Sequence, residues 1–132
     1  MRHLFIVVLS LCSTAMLAQT VPHGKGVART PDVDIAYETL GADGATVPIV
    51  TVNGGPGLSH SYMVQNDLWD RIAKRHFVIF YDQRGIGASK PLRSGASQSM
   101  DAQVADLDAV RQALGLNKVA LGVVQHGQVV EA

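Results

Sequence analysis

One pattern, which occurs twice, constrains this chain most: a short run of β-branched and aromatic residues that breaks abruptly into glycine and other turn formers. Val47-Pro48-Ile49-Val50-Thr51-Val52 runs into Asn53-Gly54-Gly55-Pro56-Gly57, and Phe77-Val78-Ile79-Phe80-Tyr81 runs into Asp82-Gln83-Arg84-Gly85-Ile86-Gly87. Each reads as a buried strand ending in a loop. The first run is nearly all apolar, as expected where helices cover both faces of a parallel strand, and Pro48 then belongs at its beginning. The glycines after Asn53 permit backbone geometry that other residues resist and let a ligand approach the main chain.

Around these motifs, strands are predicted at 26–29, 33–40, 47–52, 77–81 and 119–124, and helices at 62–73 and 100–114. The order is β-β-β-α-β-α-β. Strands alternating with helices predict an α/β fold with a mostly parallel sheet, whose ligands bind at the carboxyl ends of the strands. Both glycine loops fall on that edge. In 100–114, Met100, Val104, Leu107, Val110 and Leu114 recur every three or four residues and predict the apolar face. Ser99 is placed to cap this helix and Gly115 to end it. Asp101 suits the first turn, and Asp106, Asp108 and Arg111 fall toward the polar side, read as a solvated helix face rather than an acid/base pair. The segment 89–99 reads as a connecting loop. Gly85-Ile86-Gly87-Ala88-Ser89-Lys90 lacks the glycine-lysine-serine/threonine ending of a phosphate loop.

Together the two motifs resemble the α/β-hydrolase superfamily and, within it, the proline iminopeptidase-like serine aminopeptidases. The usual patterns there are His-Gly-Gly-Pro-Gly and Tyr-Asp-Gln-Arg-Gly-x-Gly-x-Ser. The second is complete here through Ser89, and the first departs only at Asn53, whose amide keeps a donor and an acceptor to brace the loop. The resemblance runs from about Gly26 to about Leu121 and implies the N-terminal portion of an α/β-hydrolase sheet. It implies that the Gly55 N–H helps bind an oxyanion, with the second donor coming from the residue after the nucleophile. Asn53, Gly54, Pro56 and Gly57 would line that site. Asp82, Gln83, Arg84 and Gly85 match a supporting loop outside the triad.

The nucleophile of this superfamily sits in a Gly-x-Ser-x-Gly turn after a strand. Counting from Lys118-Val119-Ala120-Leu121, Val123 falls at the first glycine, Gln125 at the serine, and only Gly127 matches. A β-branched residue suits that strained turn poorly, and an amide does not attack carbonyls. No Ser, Thr or Cys follows Ser99, and no Asp follows Asp108. His126 does not follow an acid as the family's histidine does. His60 would line the site behind the glycine loop, and His76 would be a solvated residue at a strand end. No catalytic residue is assigned, and residues 19–132 are expected to lack amidase and esterase activity. The favoured reading is a proline iminopeptidase-like hydrolase interrupted near Leu121. The alternatives are a non-catalytic module that binds a peptide or small molecule, and an esterase or epoxide hydrolase cut short in the same way. A sheet that stops at 119–124 would leave an apolar edge open.

The 132 residues are 47% hydrophobic, enough for a core, and 11 basic residues balance 11 acidic ones. Without a basic block, nothing calls for nucleic acid or an anionic membrane surface. Arg2 and His3 precede the apolar run Leu4 to Leu11, and small residues follow through Ala18. This reads as a secretory signal peptide over 1–18, a linker over 19–25 and a partial α/β-hydrolase domain over 26–132, in a secreted or periplasmic protein. An uncleaved membrane anchor is the alternative. Cys12, the only cysteine, would leave with the signal, so no thiol chemistry is expected. No metal or cofactor is implied, and the expected partner is a peptide or small-molecule substrate.

Overall fold

A computed structural model describes residues 24–41, 46–54, 57–64, 67–125 and 128–131. The expected signal peptide lies outside the described residues, as does the linker up to residue 23. In chain order the elements are β1 (Gly24–Arg29), β2 (Asp34–Leu40), β3 (Ile49–Asn53), α1 (Ser61–Val64), α2 (Asp67–Ala73), β4 (Val78–Tyr81), α3 (Met100–Ala113), β5 (Ala120–Gln125) and β6 (Gln128–Glu131). The helix expected over 62–73 is thus described as two short ones, and a strand follows β5.

All six strands form one sheet in the order β1-β2-β4-β3-β5-β6. The expectation of a mostly parallel sheet is corrected. β3 runs parallel to β4 and to β5, whereas the β1/β2, β2/β4 and β5/β6 pairings are antiparallel. For β1/β2 and β5/β6 the reason is connection length, because parallel neighbours need a long crossover while a few residues suffice to reverse direction. β2 and β4 are not consecutive, and they are antiparallel because the chain reverses between β2 and β3, with which β4 runs parallel. Thr30 closes the β1/β2 turn: its Oγ1 donates to the Val33 carbonyl at 2.7 Å and accepts from the Val33 N–H at 3.1 Å. The outer edge of β5, expected to lie open, is hydrogen-bonded to β6.

Strand alternation sorts the core onto the two faces of the sheet. On one face Ala28, Ile35, Val50, Ile79 and Tyr81 pack with Val110 and Leu114 from α3 and its end. On the other, Val78 and Phe80 pack with Met63, Trp69 and Ala73 from α1 and α2. β4 is therefore buried along its whole length, which accounts for the unbroken apolar run Val78 to Tyr81. Each such side chain contributes roughly 1.5–3 kcal/mol on burial.

α3 starts and stops where the sequence places it. The Ser99 side chain accepts from the Ala102 N–H at 3.2 Å, and Gly115 follows the helix with φ +68°. Its inward face differs from the expected one. Met100 and Val104 are 72% and 60% exposed, while Asp106, read as solvated, is 1% exposed. Asp106, Val110 and Leu114 lie one turn apart on the side that meets the sheet, and an ion pair described below makes the buried carboxylate tolerable.

Gly41, which ends β2 with φ +111°, touches backbone: a Cβ there would stand 2.2 Å from the His76 carbonyl oxygen and 2.7 Å from that of Ala73. Gly41→Ala is expected to cost about 3 kcal/mol, near the top of the range for overpacking combined with backbone strain, as read by urea denaturation.

Candidate functional site

β3 and β4 run parallel, so the loops that leave them emerge on the same edge of the sheet. Asn53, the last residue of β3, is 2% exposed, and its Nδ2 donates to the Leu58 carbonyl at 2.6 Å, spanning the glycine loop from inside. Its Oδ1 is buried and has no hydrogen-bond partner among the described residues. Gln83 reaches back from the second loop and donates to the Asn53 carbonyl at 3.4 Å. Gly54 is half-buried, and Gly57 is exposed with φ +102°. Gly55 and Pro56 lie outside the described residues.

Asp82, immediately after β4, ties the two loops together. Its Oδ1 accepts from the His60 backbone N–H at 2.8 Å and lies 2.8 Å from the His60 ring Nδ1. Its Oδ2 accepts from the Ala88 N–H at 2.8 Å. Gly87 makes this possible, since a Cβ at its φ of +48° would stand 2.1 Å from Oδ2. Burial alone would raise the Asp82 carboxyl, but hydrogen bonds from the Ala88 and His60 amides, the His60 ring and Ser59 outweigh it. They hold the group below its usual value of 3.8. Ser89, fully buried, donates to the Asp82 carbonyl at 2.7 Å and accepts from the Ala36 N–H at 2.9 Å, fastening the second loop to β2.

The His60 side chain is 12% exposed and stacks on Phe80, with ring centroids 6.4 Å apart. Its Nε2 faces Glu38 at 3.5 Å, and Glu38 in turn lies 3.4 Å from Lys25. His76 is half-buried rather than solvated, and its Nδ1 has no partner among the described residues. The cause is the return of the chain from α2 into β4, where the His76 N–H bonds the Ile72 carbonyl.

Arg84 is turned inward. Its Nε donates to Asp106 Oδ2 and its Nη2 to Asp106 Oδ1, both at 2.7 Å. Nη2 also donates to the Ala102 carbonyl at 3.2 Å, and Nη1 donates to Asp32 at 3.3 Å and to the Ser97 carbonyl. The two-pronged bond to Asp106 raises the Arg84 guanidinium above its usual value. Tyr81 is pushed up to about 12, first by burial and then by the charge of Asp106. Gly85 continues the turn, its N–H bonded to the Ser89 carbonyl at 2.9 Å. The donors of Arg84 are thus committed to α3, its approach and the turn between β1 and β2.

β5 brings the position expected for a nucleophile to the same edge. Asn53 pairs with Val124, so Gln125 lies at the level where the glycine loop begins. No strand-to-helix turn follows, because Gln125 pairs with Gln128 in the β5/β6 hairpin. His126 and Gly127 lie outside the described residues. Among the described residues, no cluster of three or more His, Cys, Asp or Glu is arranged to hold a metal ion, and no helix is long and apolar enough to cross a membrane.

Sequence reasoning missed Glu38 and the role of Asp106. Both act through partners far along the chain, so no local spacing reveals them. The one available signal was that Asp106 precedes Val110 and Leu114 at four-residue steps.

A mixed sheet covered on both faces, with two glycine loops leaving adjacent parallel strands, defines a domain of the α/β-hydrolase class. Residues 47–123, from the start of β3 through most of β5, match the family described as alpha/beta hydrolase fold, and the chain belongs to that family. Within it the chain is similar to proline iminopeptidases. It is 32% identical to that of Saccharolobus solfataricus over 98 residues, which are 74% of this chain and 31% of the relative. It is 37% identical to that of Lactobacillus delbrueckii subsp. lactis over 78 residues, 56% of this chain and 26% of the relative. The chain therefore spans about a third or less of the curated relatives it matches. Among solved structures, a proline iminopeptidase from Mycobacterium smegmatis aligns with TM-score 0.62 at 24% identity, covering 74% of this chain and 34% of that one. A putative epoxide hydrolase from Pseudomonas aeruginosa aligns with TM-score 0.63 at 22% identity, covering 78% and 33%. At these identities the two structures speak for the fold.

Two measurements check this account. Arg84→Met leaves the Asp106 carboxylate buried and unpaired and is expected to cost about 3–5 kcal/mol in urea denaturation. The double replacement Arg84→Met/Asp106→Leu should recover much of that loss, giving a large coupling in the cycle. Because the folded-state value of Asp82 is lowered, its contribution is present above its unfolded value of 3.8 and is lost as pH falls through the folded one. Unfolding free energy measured from about pH 5 to about pH 2 should therefore decline less steeply for Asp82→Asn than for the unmodified chain.

Proposed function

We propose that this chain carries the oxyanion-binding part of an amino-terminal exopeptidase of the proline iminopeptidase type, and that it has no turnover alone. In the complete reaction a serine, activated by a histidine, attacks the carbonyl after an amino-terminal residue, and the Gly55 N–H helps hold the negative charge that develops on oxygen. Asn53, Gly54, Pro56 and Gly57 form the loop that aims this N–H. Asp82, Gln83, Arg84 and Gly85 form the supporting loop after the neighbouring strand β4, from which Asp82 and Gln83 reach the segments on either side of it.

The observation that carries the reading is the alignment of Asn53 with Val124, which sets the glycine loop beside the end of β5, where an acyl-transfer site needs its oxyanion donor and its nucleophile together. The curated relatives cited above favour a peptidase over an epoxide hydrolase, since both are proline iminopeptidases. The lack of turnover follows from Gln125, which offers no attacking oxygen or sulfur, and from the absence of Ser, Thr and Cys after Ser99.

A chimera tests this. Residues 24–121 replace the matching part of the Lactobacillus delbrueckii enzyme, whose remaining sequence is retained. The chimera is expected to cleave a chromogenic prolyl anilide, and Gly55→Pro, which removes the N–H, should lower kcat by roughly 100- to 1,000-fold. Residues 19–132 alone should give no turnover. A folded chimera inactive on prolyl anilides but active on an epoxide would overturn the peptidase reading.

A further inference from the structure

We infer that His60 is a positioning residue: its ring Nδ1–H, donated to the Asp82 carboxylate, latches the segment by which the glycine loop returns to α1. The inference rests on the reading that this loop binds an oxyanion, and it concerns residues 57–60.

Asp82 Oδ1 receives both the backbone N–H and the ring Nδ1 of His60, each at 2.8 Å, so the residue is gripped at two points. One N–H to a carboxylate fixes where a chain passes; the second fixes how the residue is turned. The carboxylate stays ionised because the Ala88 N–H also feeds it, from the other loop, at 2.8 Å. An ionised carboxylate only accepts, so the proton of this contact must sit on Nδ1. The stack on Phe80 holds the ring plane, and Glu38 faces Nε2 at 3.5 Å. Leu58, two residues before His60, is the acceptor of the Asn53 amide. The return segment is therefore pinned from the β3 side by Asn53 and from the β4 side by Asp82. Packing alone would need only a flat apolar group over Phe80, whereas a latch needs a donor at the place of Nδ1.

The full chain decides between these. In the unmodified protein, long-range proton–nitrogen correlation of the His60 ring should show a proton on Nδ1; a neutral ring protonated only on Nε2 overturns the inference. Hydrogen exchange supplies the second arm. His60→Leu, which keeps apolar bulk over Phe80, should speed exchange of the backbone amides at positions 58–62 by about tenfold or more, a local opening with the core still protected. His60→Asn, whose side-chain amide reaches the place of Nδ1, should restore protection. His60→Gln, whose amide lies nearer the place of Nε2, should not. Full protection in His60→Leu, or equal behaviour of His60→Asn and His60→Gln, would also overturn it. If His60→Leu does not fold, the ring measurement decides. None of these readings involves turnover, so a folded chimera active on an epoxide but not on prolyl anilides sinks the peptidase reading without touching the latch, and a failed latch leaves that reading standing.

Discussion

The arrangement depends on the buried pair of Arg84 and Asp106. Two charges leave water together, and the fork geometry at 2.7 Å on both prongs gives each the partner that burial demands. The pair joins the loop after β4 to the inward face of α3, and α3 covers one face of the sheet through Val110 and Leu114. The same guanidinium also reaches the carbonyls of Ala102 and Ser97 and the carboxylate of Asp32. One side chain thereby fixes the approach to α3, its first turns and the turn between β1 and β2. Such a pair adds less net stability than its short distances suggest, because desolvation offsets the attraction. Its larger effect is on arrangement, since few placements of α3 satisfy both charges.

A second carboxylate does comparable work with backbone amides and an imidazole as partners. Asp82 collects donors from both loops, and Ser89 and Asn53 bond main chain rather than each other. The glycine loop is thus held from outside by groups that belong to different strands, which suits a loop whose own residues are chosen for backbone freedom. On the proposed reading, an N–H of this loop would meet a developing charge, and such a donor must be held still before the charge arrives.

Much of the fold was legible because it is written in local patterns. The apolar run of β4 announced a buried strand ending in a loop, and Ser99 and Gly115 marked the ends of α3 by their own backbone chemistry. What was not legible depended on partners distant in sequence. Strand direction in the outer sheet follows from short connections that an alternating strand-helix order does not reveal. The inward face of α3 was misread because Asp106 looks polar until Arg84, 22 positions away, is brought to it. At the site, the two glycine loops were evident from their residues, and the involvement of Asn53 in bracing was readable from its amide. The tie between His60 and Asp82 was not, since neither residue's neighbours in sequence point to the other.

The aromatic packing behind the latch has an optical consequence. Trp69, the single tryptophan, meets Phe80 edge-on at 5.3 Å, and Phe80 carries His60 over its ring at 6.4 Å. Intrinsic fluorescence excited at the indole band therefore comes from one buried chromophore with one neighbouring ring between it and the imidazole. Its emission maximum reports whether α2 remains docked on the sheet, and it does so separately from the state of the loops, which lie one ring further out. The chain thus carries a built-in label that distinguishes loss of the core from release of the edge.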